Sequence, residues 1–309
     1  PGRGLIAINK TVYEFQTFLC FEGEREIDRV AAIRQHIEQC NRKASGEQAR
    51  KIPEVPAVLG LRYVQNNYRP AGQPYLMPTG IDYETVEWVT IDLSKAAAIT
   101  VLGRENFGQD NFLRLLLGYL QRHILDCPAK AYVIDDFDRK LADLAGLGFV
   151  EKYTLDGSEL DLILEEMEAE LAERQEKARR GESIDREPLL LCVLHSEDLM
   201  RAEGIKKNTA DVIRRIVKNH GRLKVCFVFA KVDNAGVGYN APEGCKLAKE
   251  ARDTFLFDDL SNMKLLDVPL AEQRKHKKAV SPGDAYLITE KSIVRQKTIS
   301  QESELKQYG

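Results

Sequence analysis

Two short segments of the chain have the residue spacing of a phosphate-binding site, although the charged residues of such a site are replaced. Gly103 and Gly108 give the frame of the Walker A loop, G-x-x-x-x-G-K-[ST]. In a working loop the Lys faces the phosphates and the Ser/Thr hydroxyl holds Mg²⁺. Here Gln109 and Asp110 stand at those two positions. The candidate nucleotide-binding residues are Gly103, Arg104, Glu105, Asn106, Phe107, Gly108, Gln109, Asp110 and Asn111.

These replacements predict weak nucleotide binding. Gln109 has no charge, and Asp110 brings a carboxylate to the place where phosphates would lie. Losing one partner of a desolvated charge pair costs about 2–5 kcal/mol, which lowers affinity roughly thirtyfold or more. No cofactor is firmly expected, and ATP and Mg²⁺ should bind weakly at best. Without phosphate, Asp110 or Asn111 is expected to cap the helix that follows the loop.

The second segment is a degenerate Walker B strand. Residues 189–194 (LLLCVL) form a buried apolar run that should end in an acidic metal-binding residue, but His195 and Ser196 follow instead. Glu197 and Asp198 come two residues too late to reach the metal position. No catalytic residue is therefore predicted. No metal site is predicted either, because the histidines lack ligand spacing; they are His36, His123, His195, His220 and His276.

The elements that must position these residues alternate between strands and helices. Strands are predicted at residues 87–93, 98–102, 131–134, 149–155, 189–194, 223–230 and 254–257. Helices are predicted at residues 24–40, 111–124, 140–147, 158–180 and 209–219. Asp136 or Asp138 is expected to cap the helix at 140–147. Continuous apolar strands between helices indicate a parallel sheet covered on both faces, hence a three-layer α/β core.

The chain also contains an internal repeat. Residues 1–14 (PGRGLIAINKTVYE) align without a gap with residues 282–295 (PGDAYLITEKSIVR). Each copy predicts a β-hairpin that reverses at Asn9 and Lys10, or at Glu290 and Lys291. Copies separated by the length of a domain indicate a module terminator that occurs twice. The first copy is then expected to end a preceding module.

Composition excludes several classes of partner. The formal net charge of the 309 residues is −3, without the basic patch that nucleic-acid-binding proteins usually carry. No apolar run approaches the ~18 residues of a membrane span. The six cysteines are far apart and contain no C-x-x-C pair, which favours reduced thiols. Nucleic acid is therefore not an expected partner, and no direct membrane span is predicted.

In the order of its elements the chain resembles the FtsK/SpoIIIE-type P-loop ATPases. The Walker A turn is followed by AYVIDDFDRKLADL, a long helix ending in LAERQEKARR, then PLLLCVLHSED and GRLKVCFVFA. It resembles more closely the C-terminal ATPase module of the EssC family, the membrane-anchored coupling proteins of Firmicute type VII secretion. The resemblance covers roughly residues 55–295, and VIDDFDR and PGDAYLI are its more specific parts.

The resemblance implies an α/β fold: a RecA/FtsK-like P-loop NTPase with a parallel sheet, helices on both faces and added β-hairpins. It implies three parts: residues 1–54 as a hairpin strand and helix linking from a preceding module, 55–281 as a degenerate FtsK-like core, and 282–309 as a closing hairpin and tail. ATP hydrolysis does not carry over, because active members have Lys and Ser/Thr where this chain has Gln109 and Asp110.

The function implied is that of a degenerate ATPase domain in a type VII secretion motor, acting in protein export as a substrate-docking or regulatory module. The alternatives are a nucleotide-binding domain with slow or neighbour-dependent hydrolysis, and an unrelated α/β enzyme or DNA translocase. The implied partners are preceding ATPase modules of the same chain and secreted helical-hairpin (WXG100-like) proteins, at the cytoplasmic face of the cell membrane. Val237 and Tyr239, in the loop at residues 234–244 beside the helix at 209–219, are the predicted apolar anchors.

Overall fold

The computed structural model describes residues 3–8, 11–18, 21–43, 52–70, 72–238 and 240–301. The chain divides into two compact units, Pro1–Pro53 and Glu54–Gly309. The first unit contains β1 (Arg3–Ile8), β2 (Thr11–Gln16) and α1 (Glu26–Lys43). None of its described residues is buried.

Both predicted elements of the first unit are formed. β1 and β2 pair antiparallel, with Arg3 opposite Gln16, and their predicted reversal at Asn9 and Lys10 lies outside the described residues. Helix α1 has acidic residues in its first turn and basic residues in its last, which favours both ends of the helix dipole. The apolar stripe of α1 is exposed; it consists of Ile27, Val30, Ile33 and Ile37.

The second unit carries the α/β core. Its strands are β3 (Leu76–Asp82), β4 (Trp88–Asp92), β5 (Ala98–Gly103), β6 (Ala129–Ile134), β7 (Val150–Thr154), β8 (Leu189–His195), β9 (Val225–Ala230), β10 (Asp253–Phe257), β11 (Asp284–Ile288) and β12 (Ile293–Thr298). Its helices are α2 (Leu61–Asn67), α3 (Gln109–Arg122), α4 (Leu160–Arg179), α5 (Glu197–Met200), α6 (Lys207–His220), α7 (Glu243–Glu250) and α8 (Leu270–Lys275).

The ten strands form one sheet in the order β4-β3-β12-β11-β10-β5-β9-β8-β6-β7. From β10 to β7 all neighbours are parallel, whereas β4, β3, β12 and β11 extend the sheet with antiparallel pairs. Helices α4, α6 and α7 bury their apolar residues on one face of the sheet, and α3 buries its apolar residues on the other. The predicted three-layer α/β core is therefore confirmed.

The sheet brings the carboxyl ends of its parallel strands to one edge, as parallel pairing requires. Strand β8 is buried along its whole length, which explains why its sequence is apolar at every position from Leu189 to Leu194. Its last residue, His195, emerges at the same edge as the end of β5. The Walker A and Walker B candidate motifs thus come from strands separated only by β9.

Two expectations from the sequence are wrong, and one region contains elements that were not predicted. The helix predicted at residues 140–147 is only a 3₁₀ turn at Ala142–Leu144. Residues 53–78, for which no element was predicted, contain α2 and the start of β3; Pro78 is tolerated because the pairing with β4 shifts register between Pro78 and Gly80. The loop predicted at 234–244 stops at Pro242, since α7 begins at Glu243. None of the described helices is both long and apolar enough to cross a membrane.

Candidate nucleotide-binding site

The Walker A turn has strand-turn-helix geometry. It runs from Gly103, at the end of β5, to Gly108, which precedes α3. Both glycines have positive φ, +153° and +131°. A Cβ on Gly103 would lie 2.5 Å from the carbonyl oxygen of Phe257, and one on Gly108 would lie 3.0 Å from the Phe257 ring. The glycine frame is therefore required by the close approach of β10, with or without a nucleotide.

Arg104, the arginine of this turn, forms ion pairs with two acidic residues that follow β10. Arg104 Nε lies 2.6 Å from Asp258 Oδ1, and its terminal nitrogen lies 2.5 Å from Asp259 Oδ2. The guanidinium also sits 5.1 Å from the centre of the Phe107 ring. These contacts tie the turn to the end of β10.

The two replaced positions contact each other. Asp110 Oδ1 lies 3.3 Å from His195 Nε2, and His195 Nδ1 lies 2.6 Å from Asp135 Oδ1. His195 and Asp135 are fully buried, with 1% and 0% of the side chain exposed. The residue in place of the Walker A hydroxyl therefore pairs with the residue in place of the Walker B acid.

Asp135 is anchored on every side. Its carboxylate accepts hydrogen bonds from the backbone N–H of Asp136 and Leu141, each at 2.9 Å, and from the hydroxyl of Tyr153 at 2.7 Å. Since ionised carboxylates only accept, Nδ1 donates to Asp135, and the approach of Asp110 to Nε2 at 3.3 Å favours the imidazolium form of the ring. Burial alone would lower the pKa of His195, but Asp110 and Asp135 together outweigh it and raise that pKa.

Two lysines extend the charge network. Lys140 Nζ lies 3.2 Å from Asp110 Oδ2 and 3.8 Å from Asp138 Oδ2, and Lys231 Nζ lies 3.2 Å from the same Asp138 oxygen. The contact with His195, reinforced by Lys140, lowers the pKa of Asp110 to about 2. Asp110 also raises the pKa of Lys140. Positive and negative groups alternate, so the cluster is neutralised from within.

The predicted helix caps are not formed. Gly108 precedes α3 without a side-chain cap, because Asp110 turns to His195 and Lys140. Asn111 instead holds the segment after β12: its amide donates to the Ile299 carbonyl at 2.7 Å and accepts from Gln301 N–H at 2.9 Å. Asp136 and Asp138 do not cap a helix at 140–147 either, since no helix begins there.

A polar cavity of about 800 Å³ lies at this edge of the sheet. Most of the predicted Walker A residues line it, together with His195; the Walker A members are Gly103, Glu105, Asn106, Gln109 and Asp110. Ser196 is 6% exposed and does not line the cavity. Val237 lies on the loop after β9 and is 43% exposed, whereas Tyr239 lies outside the described residues.

One group among the described residues has the geometry of a metal site. The ligand atoms of Asp135, Asp138 and His195 lie within 4.8 Å of one another. However, both nitrogens of His195 face carboxylates, and Lys231 holds Asp138. A metal ion would have to displace a proton from the imidazolium and both neighbouring cations. These residues fit an ion-pair network and do not fit Mg²⁺ in the manner of an active Walker B site.

The sequence places His195 at the Walker B position, but its pairing with Asp110 was not predicted. A usable signal was present: Asp110 and His195 replace the two residues that hold the same Mg²⁺ in active P-loop enzymes. Two such positions must be neighbours in space. An acid at one and a base at the other therefore form an ion pair.

Two curated proteins are similar in sequence. Over 147 residues the chain is 29% identical to the ESX secretion system protein YukB of Bacillus subtilis (strain 168), covering 47% of this chain and 10% of that protein. It is 22% identical to the ESX secretion system protein EccC of Geobacillus thermodenitrificans (strain NG80-2), over 93% of this chain and 19% of that protein. The chain thus spans less than a fifth of either relative. No family model matches it.

Solved structures with this fold include tandem ATPase domains. EssC (ATPases 2 and 3) from Geobacillus thermodenitrificans superposes with a TM-score of 0.67 at 21% identity, over 98% of this chain and 56% of that one. The cytoplasmic domain of EssC gives 0.62 at 20% identity, over 98% and 59%. Thermomonospora curvata EccC (ATPases 2 and 3), in complex with a signal sequence peptide, gives 0.63 at 15% identity, over 98% and 54%. At these identities the likeness establishes the fold.

The three-layer α/β core and the glycine frame of its first strand-to-helix turn are those of the P-loop NTPase fold, as predicted. Within that fold class, both sequence relatives are ESX secretion system proteins, and the similar solved structures are EssC and EccC ATPase domains. The resemblance predicted from the sequence is therefore confirmed.

Proposed function

We propose that this module is a degenerate ATPase domain of a type VII secretion motor, in which an internal ion network replaces nucleotide and Mg²⁺, and that it serves protein export as a substrate-docking or regulatory module. The observation that carries the proposal is the contact between Asp110 and His195. Active P-loop enzymes use the corresponding positions to hold Mg²⁺ from two sides. In this chain the Asp110 carboxylate and the His195 imidazolium occupy those two positions and form an ion pair.

The ion pairs of the lysine beside the cavity also support the proposal. Gln109 supplies no charge to the cavity, and Lys140 is held by Asp110 and Asp138. A triphosphate would have to break those pairs and approach the Asp110 carboxylate. Both steps lower its affinity, in the direction expected from the sequence.

A second candidate is a nucleotide-binding domain with slow or neighbour-dependent hydrolysis. It is favoured by the start of α3, where no side chain caps the free N–H groups, and by Lys140 and Lys231, which line the cavity. A helix start with nearby ammonium groups attracts anions. This candidate requires that phosphate replaces Asp110 as the partner of Lys140.

Calorimetric titration with ATP and Mg²⁺ distinguishes the two candidates. The unmodified chain is expected to bind with a Kd weaker than about 1 mM. Because removing Asp110 leaves His195, still held by Asp135, as a positive group where the Walker B acid would hold Mg²⁺, Gln109→Lys/Asp110→Ser should gain less affinity than Gln109→Lys/Asp110→Ser/His195→Asp. The triple variant is expected to bind roughly thirtyfold or more tightly than the parent.

Asp267→Ser is the matched control, since it also removes a carboxylate but from a side chain that is 98% exposed. It should not change ATP affinity. Micromolar binding and phosphate release by the parent would favour the second candidate. A triple variant that binds no better than the parent would show that these side chains are not what blocks the site.

The docking role is proposed for the loop after β9. Val237 is the described apolar residue of that loop and is exposed; Tyr239 is its proposed companion. The partners proposed are preceding ATPase modules of the same protein and secreted helical-hairpin (WXG100-like) proteins. One structural neighbour is a complex with a signal sequence peptide, and another is a cytoplasmic domain, which supports the cytoplasmic face of the cell membrane as the working location.

A pull-down tests the docking loop. Secreted helical-hairpin proteins are mixed with the unmodified chain and with Val237→Asp/Tyr239→Ala. The variant should retain several-fold less of the secreted protein than the unmodified chain, because buried apolar anchors dominate such contacts. Leu125→Asp is the control, since Leu125 is 95% exposed but lies on another part of the unit. Equal retention by all three chains would remove this loop from the binding surface.

A further inference from the structure

The two copies of the repeat form hairpins of identical register. In the first, Arg3 faces Gln16, and in the second, Asp284 faces Lys297, which is the aligned pair. Every cross-strand pair of the second hairpin has its aligned counterpart in the first. What differs is what surrounds them.

The second copy lies inside the large sheet. Strand β11 pairs with β10 on its outer side, and β12 pairs with β3 on its outer side. The first copy forms a two-stranded sheet by itself, so both of its outer edges lack a strand among the described residues. Unpaired strand edges expose N–H and C=O groups that can join another sheet.

Aligned side chains differ sharply in exposure. Leu5 is 72% exposed, whereas its counterpart Tyr286 is 0% exposed; Ile6 is 47% exposed, whereas Leu287 is 7% exposed. A two-stranded hairpin with exposed apolar residues is at most marginally stable in water. The first copy thus has the sequence of an interior strand pair without the sheet that covers such a pair.

The cross-strand ion pair is kept with its charges exchanged. Arg3 lies 3.6 Å from Glu14, and the aligned residues Asp284 and Arg295 lie 3.3 Å apart. In the second copy Asp284 also accepts a hydrogen bond at 2.7 Å from the hydroxyl of Tyr83, the residue that follows β3. Arg3 stands in the first copy where Asp284 stands in the second, and an arginine can only donate. A sheet that takes up the first copy therefore needs a hydrogen-bond acceptor at the position of Tyr83. The first copy's preferred sheet is therefore similar to that of the second unit but not identical.

We infer that β1 and β2 are the interior strand pair of another domain's sheet, a domain with the fold of residues 54–301 that lacks its own copy of this hairpin. By the alignment, β1 pairs antiparallel with that domain's counterpart of β10, with Leu5 opposite the position of Leu256 and Ile6 opposite that of Phe255. Strand β2 pairs with its counterpart of β3, with Gln16 opposite the position of Ile81.

A graft within the full chain tests the inference. Residues 282–297 are replaced by the sequence of residues 1–16, so that the first copy must serve as interior strands of the second unit. The grafted chain is expected to unfold cooperatively, with a Tm lowered by no more than about 10 °C. Leu5→Ser in the grafted copy should then lower Tm by a further 6–12 °C or so, because the leucine is buried there.

The matched control is Leu5→Ser at the natural position, where the side chain is exposed; it should change Tm by less than about 2 °C. A second graft that also carries Arg3→Asp/Glu14→Arg restores the polarity of the ion pair and should fold at least as well as the first. If neither graft folds, or if Leu5→Ser costs the same in both positions, the inference is wrong. Concentration-dependent dimers of the unmodified chain that Leu5→Ser abolishes would also contradict it, since the hairpin would then pair with a copy of itself.

Discussion

The contact between Asp110 and His195 can be measured as a coupling free energy. A double-mutant cycle uses Asp110→Asn, His195→Gln and the double variant, all of which keep the size of the side chains and remove charge. If the two residues form an ion pair, the cost of the double variant is smaller than the sum of the single costs. If they merely pack side by side, the costs add.

The expected magnitudes follow from burial and from the partners that remain. Removing one member of a buried ion pair costs about 3–5 kcal/mol. His195 is fully buried, but Asp110 would keep Lys140 and Asp135 would keep Tyr153, so we expect about 2–4 kcal/mol for His195→Gln. Asp110 is 31% exposed, and water screens its charge, so Asp110→Asn should cost about 1–2 kcal/mol. A coupling energy of about 1–2 kcal/mol is expected.

The coupling should depend on pH in a defined direction. The pKa of His195 is raised on folding, so its contribution is fully present below its unfolded pKa near 6.5 and is lost as pH rises through the folded pKa. The pKa of Asp110 is lowered to about 2, so its contribution is present above its unfolded pKa and is lost as pH falls toward 2. The coupling energy is therefore largest between about pH 4.5 and 6.5 and declines at higher pH.

Urea unfolding at about pH 5.5 and pH 9 provides the measurement. Asp267→Asn serves as the control, since its cost should add to that of His195→Gln within about 0.5 kcal/mol. Additivity of Asp110→Asn and His195→Gln at pH 5.5, or a coupling that grows between pH 5.5 and 9, would refute the imidazolium pair.

Three further predictions concern the fold that holds this site. Gly103→Ala should cost about 3 kcal/mol or more by urea unfolding because of the approach of Phe257, whereas Gly181→Ala, with φ +76° and nothing within 4 Å of its Cβ, should cost about 1–2 kcal/mol; equal costs would contradict the steric argument. Arg174→Ala should cost about 3–5 kcal/mol, because the 1% exposed guanidinium donates to the Leu223 carbonyl at 2.9 Å and pairs with Glu170, and an unchanged midpoint would refute that role. Burial raises the pKa of Cys192 to about 12, so a thiol reagent should label it only after unfolding, and rapid labelling of the native chain would refute its burial.

The parallel half of the sheet could be predicted because its strands are buried on both faces. Such strands must be apolar at every position, as LLLCVL and VCFVFA are, and no helix periodicity competes with that pattern. The predicted ends of β5 and β8 accordingly agree with the structure within one residue. The glycine frame of the turn was also predictable, since its positive φ values exclude other residues.

In the antiparallel half the hairpin β11–β12 and strand β4 were predicted, but β3 was not, because tertiary pairing overrides its local sequence. Strand β3 contains Pro78 and Gly80, which normally end a strand, but here the register shift beside β4 accommodates them. The helix predicted at 140–147 fails for a similar reason: the Leu141 N–H donates to the buried Asp135 instead of starting a helix. In both places a partner distant in sequence decides the local conformation.

The ion network explains why the replaced residues at the two motifs belong together. Asp110→Ser alone would leave the His195 imidazolium without a partner at Nε2, inside a site where an unpaired charge is costly. His195→Asp alone would bring a third carboxylate against Asp110 and Asp135, and like charges at that distance cannot all ionise. Asp110→Ser alone and His195→Asp alone are therefore each expected to be less stable than the pair found here or the pair of an active enzyme. In the proposed function, Asp110, His195 and Lys140 supply within the protein the charge balance that phosphate and Mg²⁺ supply in an active P-loop enzyme.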